Sequence, residues 1–541
     1  MTKLLAGVGT GAFLNPAPAW QKPRAITPGI FQPTWDSLKQ YQAPDWFRDA
    51  KFGIWAHWTA QCVPEQGDWY ARNMYLQGDR QNKFHVERYG HPSKFGFMEF
   101  DNLWKAEKWE PDALMQLYKK AGAKYFFALA NHHDNFDCYA STHHAWNSVR
   151  VGPKKDIVGI WAATARKHGL RLGVTNHSAH SWHWFQSAYG YDPEGAMAGV
   201  RYDAYGLRKE QGKGKWWDGL DPQELYVGPS MVMPDGITTI QAANKWHEQN
   251  DRKWTETPPP NNPAFVDTWY LRCRELLDKY QPDVLYFDNT ELPLGQAGLD
   301  IAAHFYNSNM KNHGGRLEAV LNSKGLRPEH TGTMVLDIER GRADRILPAA
   351  WQTDTCIGEW HYRRSLFEEH KYKTADTVIK TLIDIVSKNG NLMLSVPVRA
   401  DGTIDDDEQK LLSELAAWMP ANQEAIFGTR PFSVFGEGAP DVKGSGNFNE
   451  SSSRPYTAED IRFTTRGRTL YAFALAWPAG GKVTIKTLAK GSAAWPGEVA
   501  KVELLGSKAT LKFSRDAAGL VVSLPEQKPH DHAYALKIMP A

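Results

Sequence analysis

The chain is 541 residues long and carries 63 Lys and Arg against 61 Asp and Glu, a formal net charge of +2. That balance excludes a polyanion as general partner, so neither nucleic acid nor an anionic membrane surface is expected, and 42% hydrophobic with 23% charged residues excludes a wholly disordered chain. Apolar runs such as 125–130 and 392–396 fall far short of the roughly 20 residues of a membrane span.

Residues 1–34 precede the first regular pattern. Lys3, the apolar stretches 4–8 and 12–14, and then Ala17-Pro18-Ala19 read as a leader or extension. With it comes the expectation of a bacterial periplasmic or secreted protein.

From 35 to 430, short β-rich apolar runs alternate with amphipathic stretches. Strands are expected at 52–58, 125–131, 170–176, 284–288, 319–322, 334–337, 351–355 and 391–397. A helix is expected over 111–121, where Leu114, Leu117 and Tyr118 recur at helical spacing. Pro111 sits where a helix tolerates proline, and Gly122 where one stops. Further helices are expected at 156–168, 266–279, 301–312, 374–387 and 406–426. Strand then helix, repeated with near-continuously apolar strands, implies parallel strands covered by helices. Eight of them favour a (β/α)8-like barrel over an open doubly wound sheet. The stretch 322–334 is too short for a full helix, so the barrel is expected to be partly irregular.

Segment 177–263 breaks the rhythm. Rich in Trp, Tyr, Gly and Pro, it is too long for a bare barrel loop and reads as an insertion, helical around 239–249. It serves either as a lid or substrate wall or as a purely structural elaboration. Beyond 430 the composition shifts again. A Gly/Ser/Asn loop over 436–454 leads into strands at 460–464, 470–476, 481–487, 499–505, 509–514, 519–524 and 533–538, several alternating apolar and polar. Residues 431–541 are therefore expected to form a C-terminal β-sandwich. Cys62, Cys138, Cys273 and Cys356 lie far apart with no metal-ligand spacing and read as free thiols.

Reacting groups of such a barrel sit at the C-terminal ends of its strands. Those positions hold His57 and Trp58, then Asn131-His132-His133-Asp134, Asn176-His177 and Asp288-Asn289-Thr290-Glu291. Later come Asp337, Glu339, Trp351, Asp354 and Glu359. Neither a nucleophile elbow nor a phosphate-cradling glycine loop is present. Asp288 closes a buried apolar strand, where a carboxylate costs free energy unless it is paired or used. It is either a nucleophile for an anomeric carbon or a cap or brace for its neighbours. Adjacent histidines in a strand point to opposite faces, and no H-E-x-x-H or H-x-H pattern accompanies His132 and His133, so no metal and no cofactor is expected. The 22 Trp, 21 Tyr and 23 Phe fit either a large core or stacking platforms for sugar rings. Retaining glycoside cleavage needs two carboxyl groups roughly 5–5.5 Å apart. Glu339 is the first choice as partner of Asp288, and Asp337, Glu291 and Glu359 are the alternatives.

Several blocks, in order, resemble glycoside hydrolase family 29, the α-L-fucosidases. They are Trp46-Phe-Arg-Asp-Ala-Lys-Phe-Gly-Ile-Trp-Ala-His57-Trp58, Trp104-Lys-Ala-Glu-Lys-Trp109, Leu117-Tyr-Lys-Lys-Ala-Gly-Ala-Lys124, Asn131-His-His-Asp-Asn-Phe136, Pro282-Asp-Val-Leu-Tyr-Phe-Asp288 and Asn389-Gly-Asn-Leu-Met-Leu-Ser395. The resemblance covers most of 44–430 and extends to the β-rich tail. It implies an exo-acting retaining hydrolase without metal, removing terminal α-L-fucosyl residues from oligosaccharides or glycoconjugates. On it, Asp288 matches the nucleophile, and His57, His132 and His133 match histidines that hold fucose hydroxyls. Asp68-Trp69 stands where the family often has Glu-Trp lining the sugar pocket. Trp351-Gln352 stands where many members read Trp-Glu, which makes Trp351 a substrate-binding candidate and removes one carboxylate. The third strand ends Val174-Thr-Asn-His-Ser178, where many members are Tyr-rich. Glu339 as acid/base follows from its place after a barrel strand. Two other readings compete: a hydrolase for another α-L-sugar or a sulfated fucan, with Arg208, Lys209, Lys213 and Lys215 near sulfate, and a non-catalytic carbohydrate-binding protein.

Overall fold

A computed structural model describes residues 24–439, 444–450 and 454–541. Of the expected leader or extension over 1–34, residues 1–23 lie outside them. Eight parallel strands pair in chain order and close on themselves: β1 (Phe52–Ala56), β2 (Tyr125–Asn131), β3 (Arg171–Asn176), β4 (Val284–Phe287), β5 (Val320–Lys324), β6 (Val335–Asp337), β7 (Trp351–Cys356) and β8 (Gly390–Ser395). β8 pairs with β1. This is the expected barrel. Its strands are buried on both faces, β7 even with Gln352, Thr353, Asp354 and Thr355 in it, because one face fills the barrel interior and the other meets the surrounding helices.

Helices Pro111–Lys120, Ile157–Lys167, Pro263–Tyr280, Gln296–Asn312, Ala375–Ser387 and Asp406–Asn422 follow the expected pattern. A capping box between Asp405 and Glu408 opens the last of them. Between β5 and β6 only a single 3-10 turn, Pro328–His330, replaces a helix, and the residues between β6 and β7 contain none. The insertion after β3 carries a helix at Ile240–Gln249 and is anchored by a fully buried ion pair, Arg72 to Asp251 at 2.6 Å.

The C-terminal part is two antiparallel sheets. One holds β9 (Arg430–Glu437), β10 (Ile461–Arg466), β11 (Thr469–Ala474), β13 (Val499–Leu504) and β16 (Tyr534–Pro540) in the order β13-β16-β11-β10-β9. The other holds β12 (Lys482–Ile485), β14 (Lys512–Asp516) and β15 (Gly519–Ser523) in the order β12-β15-β14. Phe463, Leu470, Ile485, Val522 and Leu536 share the core between them, as in a sandwich. β9 was not expected as a strand. It lacks burial alternation and contains Pro431, which an edge strand tolerates because one side of its ladder is unpaired.

The sandwich is fixed to the barrel. Tyr471, Phe473 and Ala535 belong to the main hydrophobic core, and the Trp418 indole N–H donates to the Ala533 carbonyl at 3.0 Å. Asp384, on helix Ala375–Ser387, is fully buried and meets Arg462 at 2.6 Å, Lys388 at 2.7 Å and Arg342 at 3.5 Å. Burial pushes its carboxyl up, but the three cations outweigh it and hold it below the ordinary carboxylate range. Breaking such a buried cluster typically costs about 3–5 kcal/mol, so it fixes the sandwich to the barrel helix Ala375–Ser387.

Candidate active site

A cavity of about 340 Å³ opens at the C-terminal ends of the barrel strands. Barrel residues His57, Tyr286, Asp288, Lys324 and Asp354 line it. Asp68 and Trp69 enter from the connection after β1, Trp254 from the insertion, and Trp360 from the segment after β7. Asn447 and Phe448 enter from the loop between β9 and β10.

Asp288 is the first residue past β4, whose four residues are all buried, and it is itself 8% exposed. One carboxylate oxygen pairs with Lys324 Nζ. The other lies 3.1 Å from His133 Nε2 and 3.6 Å from His177 Nδ1. Burial alone would raise its pKa. Lys324, the His133 hydrogen bond and His177 outweigh that, and hold the carboxyl well below the ordinary range. Asp288 is therefore ionised.

Glu339 Oε2 lies 2.7 Å from the same Lys324 Nζ. Here burial wins: with Asp354 and Asp288 adding negative charge, and Lys324 opposing them, its pKa is pushed up to about 7. One ammonium thus holds two carboxyl groups whose environments drive their pKa values apart, the pattern that separates a nucleophile from an acid. Sharing a single nitrogen also keeps them close together, unlike the roughly 6.5–9.5 Å of an inverting pair that must admit a water.

The alternative acids are placed elsewhere. Asp337 ends β6 inside the barrel, fully buried, accepting from Gln352 Nε2 at 2.8 Å. Burial and nearby Asp354 push it well above the carboxylate range, so it is protonated and turned inward. The strand ends at Asp337 and Glu339 lies in the turn beyond it; of the two, Glu339 lines the cavity and Asp337 does not. Glu291 is bound by Arg327 and His330, each at 2.6 Å, and Glu359 by Arg363 at 3.2 Å; neither lines the cavity.

The histidines divide into two roles. His57 bonds Ser395 Oγ through Nδ1 at 2.9 Å, and His132 Nδ1 takes Gln61 Nε2 at 3.0 Å. Gln61 Oε1 accepts from the Ala71 N–H, which fixes the amide and leaves the proton of His132 on Nε2. Burial drives His57, His132 and His177 well below the usual histidine pKa, so all three are neutral rings able to donate and accept. His133, expected to hold hydroxyls, is absent from the cavity lining. Its Nδ1 donates to the His177 carbonyl at 2.8 Å while Nε2 faces Asp288, so it orients the carboxylate from behind. His132, His133 and His177 bring ligand atoms within 4.8 Å of one another, as do Asp68, His132 and His361. Those sets could hold an ion, but His133 is committed to the His177 carbonyl and Asp288, and His132, bonded to Gln61, lines the cavity where it can meet a hydroxyl.

Asp68 and Trp69 are at the cavity as expected. Asp68 accepts from His361 Nδ1 at 2.6 Å, and Trp69 holds a strained left-handed backbone, φ 64°, of the kind found at functional sites. Trp351 is a correction. It is the first residue of β7, at the opposite end of the barrel, where its indole donates to the Lys388 carbonyl at 2.9 Å and a Cβ on Gly390 would come within 2.6 Å of its ring. The tryptophan at the cavity is Trp360. Gln352, in place of a carboxylate, accepts from Tyr125 and donates to Asp337 within the barrel.

Lys324 was missed, although a lysine ending an apolar strand is a signal of the same kind as Asp288. Replacing it with Met removes the charge that lowers both acids, so both pKa values rise. The kcat/KM profile of Lys324→Met is expected to shift to higher pH on both limbs, with a lower maximum. Unchanged limbs would contradict the electrostatic role.

The family described as Alpha-L-fucosidase matches residues 19–424, and that described as Alpha-L-fucosidase C-terminal domain matches 454–539. Similar curated proteins include tissue alpha-L-fucosidase of Mus musculus, 27% identical over 525 residues, covering 95% of this chain and 96% of that protein. Plasma alpha-L-fucosidase of Rattus norvegicus is 26% identical, covering 94% and 93%. Among solved structures, Thermotoga maritima alpha-fucosidase in complex with fucose superposes with a TM-score of 0.67 at 24% identity, covering 94% of this chain and 100% of that one.

Proposed function

The chain belongs to the alpha-L-fucosidase family of glycoside hydrolases, and on that premise we propose that it is an exo-acting retaining enzyme releasing terminal α-L-fucosyl residues from oligosaccharides or glycoconjugates. The observation that carries this reading is the pair Asp288 and Glu339, held by one lysine at a sugar-sized cavity, one ionised and the other with a pKa of about 7.

In the first half of the reaction an Asp288 oxygen forms a bond to C1 as the bond from C1 to the leaving oxygen breaks. The Glu339 proton passes to that oxygen. In the second half a water oxygen bonds C1 and displaces Asp288, and the water proton returns to Glu339. His133 and Lys324 hold the two oxygens of Asp288 in orientation, and one contact opens on attack. The neutral rings of His57, His132 and His177, with Asp68, offer donors and acceptors for several hydroxyls. The indole faces of Trp69 and Trp360 suit the apolar side of a deoxy sugar, a preference worth about 1–3 kcal/mol over a hydroxylated one. Export to the periplasm or medium, where fucosylated glycans occur, is part of the same proposal.

Proton NMR of an aryl α-L-fucoside during hydrolysis tests it. The first fucose formed is expected to be the α anomer. Initial β-L-fucose would mean inversion, and no turnover beside rapid cleavage of another α-L-glycoside would overturn the substrate.

A further inference from the structure

We infer that the loop 444–450 of the C-terminal sandwich builds the subsite for the sugar to which fucose is attached, with Phe448 as its stacking platform. This rests on the fucosidase reading above and specifies what lies beyond the cleaved bond.

The loop is registered to the acid residue by residue. Phe448 N–H donates to the Glu339 carbonyl at 2.8 Å, Glu339 N–H to Asn447 Oδ1 at 3.0 Å, and Glu450 N–H to the Arg340 carbonyl at 3.1 Å. Arg342 bridges to Gly446 and exchanges bonds of 2.9 and 3.0 Å with the Asn449 amide. Glu450 adds contacts of 2.7 Å each to Arg340, Thr355 and Lys373. The approach is close enough that a Cβ at Gly341 would meet the Gly446 carbonyl oxygen at 2.0 Å, so this pairing requires glycine there. The loop occupies the side of the barrel where no helix follows β6.

On this pinned loop Phe448 is 61% exposed, more than any other large apolar side chain described, and its φ of 58° is unfavourable for a non-glycine residue. It lines the cavity yet stacks on no other aromatic ring among the described residues. Trp254, the other half-exposed ring at the cavity, already lies against His180 at 3.7 Å. An exposed aromatic held in a strained conformation gains nothing in the free chain and gains area when a partner covers it. Glu339 protonates the leaving oxygen, so a group bonded to its backbone and facing the cavity is placed beside whatever that oxygen belongs to. For a glycan substrate that is a second pyranose, whose C–H face fits an aromatic ring.

The test compares two substrates in Phe448→Ala, Phe448→Leu and Phe448→Trp. α-L-Fucosyl fluoride leaves without a second sugar; the other substrate is whichever α-L-fucosyl disaccharide the wild-type enzyme cleaves best. In the Ala and Leu variants kcat/KM is expected to fall about tenfold on the disaccharide, as loss of one ring face predicts. Turnover of the fluoride and inhibition by free fucose should stay within about twofold of wild type. The Trp variant, which keeps a planar ring, should retain most of the disaccharide rate. Equal losses on both substrates, or an unchanged disaccharide rate, would overturn the proposal. Failure of the underlying reading looks different: wild-type enzyme would cleave neither substrate.

Discussion

Asp288→Gly is expected to lose turnover of an aryl α-L-fucoside by at least about 10³-fold, as removal of a covalent nucleophile does in other hydrolases, while fucose still binds. Asp288 is held in its ionised form: Lys324 and His133 occupy its two oxygens and, with His177, override the cost of burial. Sodium azide should restore cleavage in this variant, because a small anion fits the space left by the side chain and attacks C1 from the same face. The product is then β-L-fucosyl azide. A variant that keeps its rate within tenfold of wild type would remove Asp288 from the reaction.

Glu339→Ala is expected to divide substrates by leaving group. Where the departing alcohol needs a proton, the loss should reach about 10²–10⁴-fold; with an activated aryl group it should be far smaller. The pH profile carries the same information. Glu339 must be protonated to act as acid and its pKa is raised to about 7, so wild-type kcat/KM is expected to fall as pH rises through about 7. That limb, which belongs to the coupled pair rather than to one residue, disappears in Glu339→Ala. Equal losses on all leaving groups would point to another acid. Glu256 is then the next to test: burial pushes it up to about 7, and it bonds Asn289 and the Thr290 N–H beside Asp288.

The barrel was legible because strands such as β1, β2, β4 and β8 are apolar on both faces and lead into polar groups, and Asp288 follows directly from that rule. Where the same rule was misapplied, the reading failed. Trp351 opens its strand instead of closing it, so it faces the far end of the barrel, while Trp360 beyond the strand reaches the cavity. β5 continues two residues past the expected boundary, and the second of them is Lys324, the cation that sets both acids. His133 was placed at the right strand end, but the turn after Asn131 sends its ring behind Asp288. The contribution of the sandwich could not be read locally. Asn447 and Phe448 lie in a Gly/Ser/Asn stretch that has the composition of a linker, and only the pairing with 339–342, more than a hundred residues earlier, brings them to the cavity. β9 escaped notice for a related reason, since an edge strand with a proline carries no alternation.

The most direct measurement is to trap the intermediate with a fluorinated fucosyl fluoride that forms the ester faster than water removes it, and then to map the labelled peptide by mass spectrometry. The account predicts one fluorofucosyl group per chain, on Asp288. A label on Glu339 or any other side chain, or hydrolysis of substrate by an enzyme that never forms an ester, would contradict it.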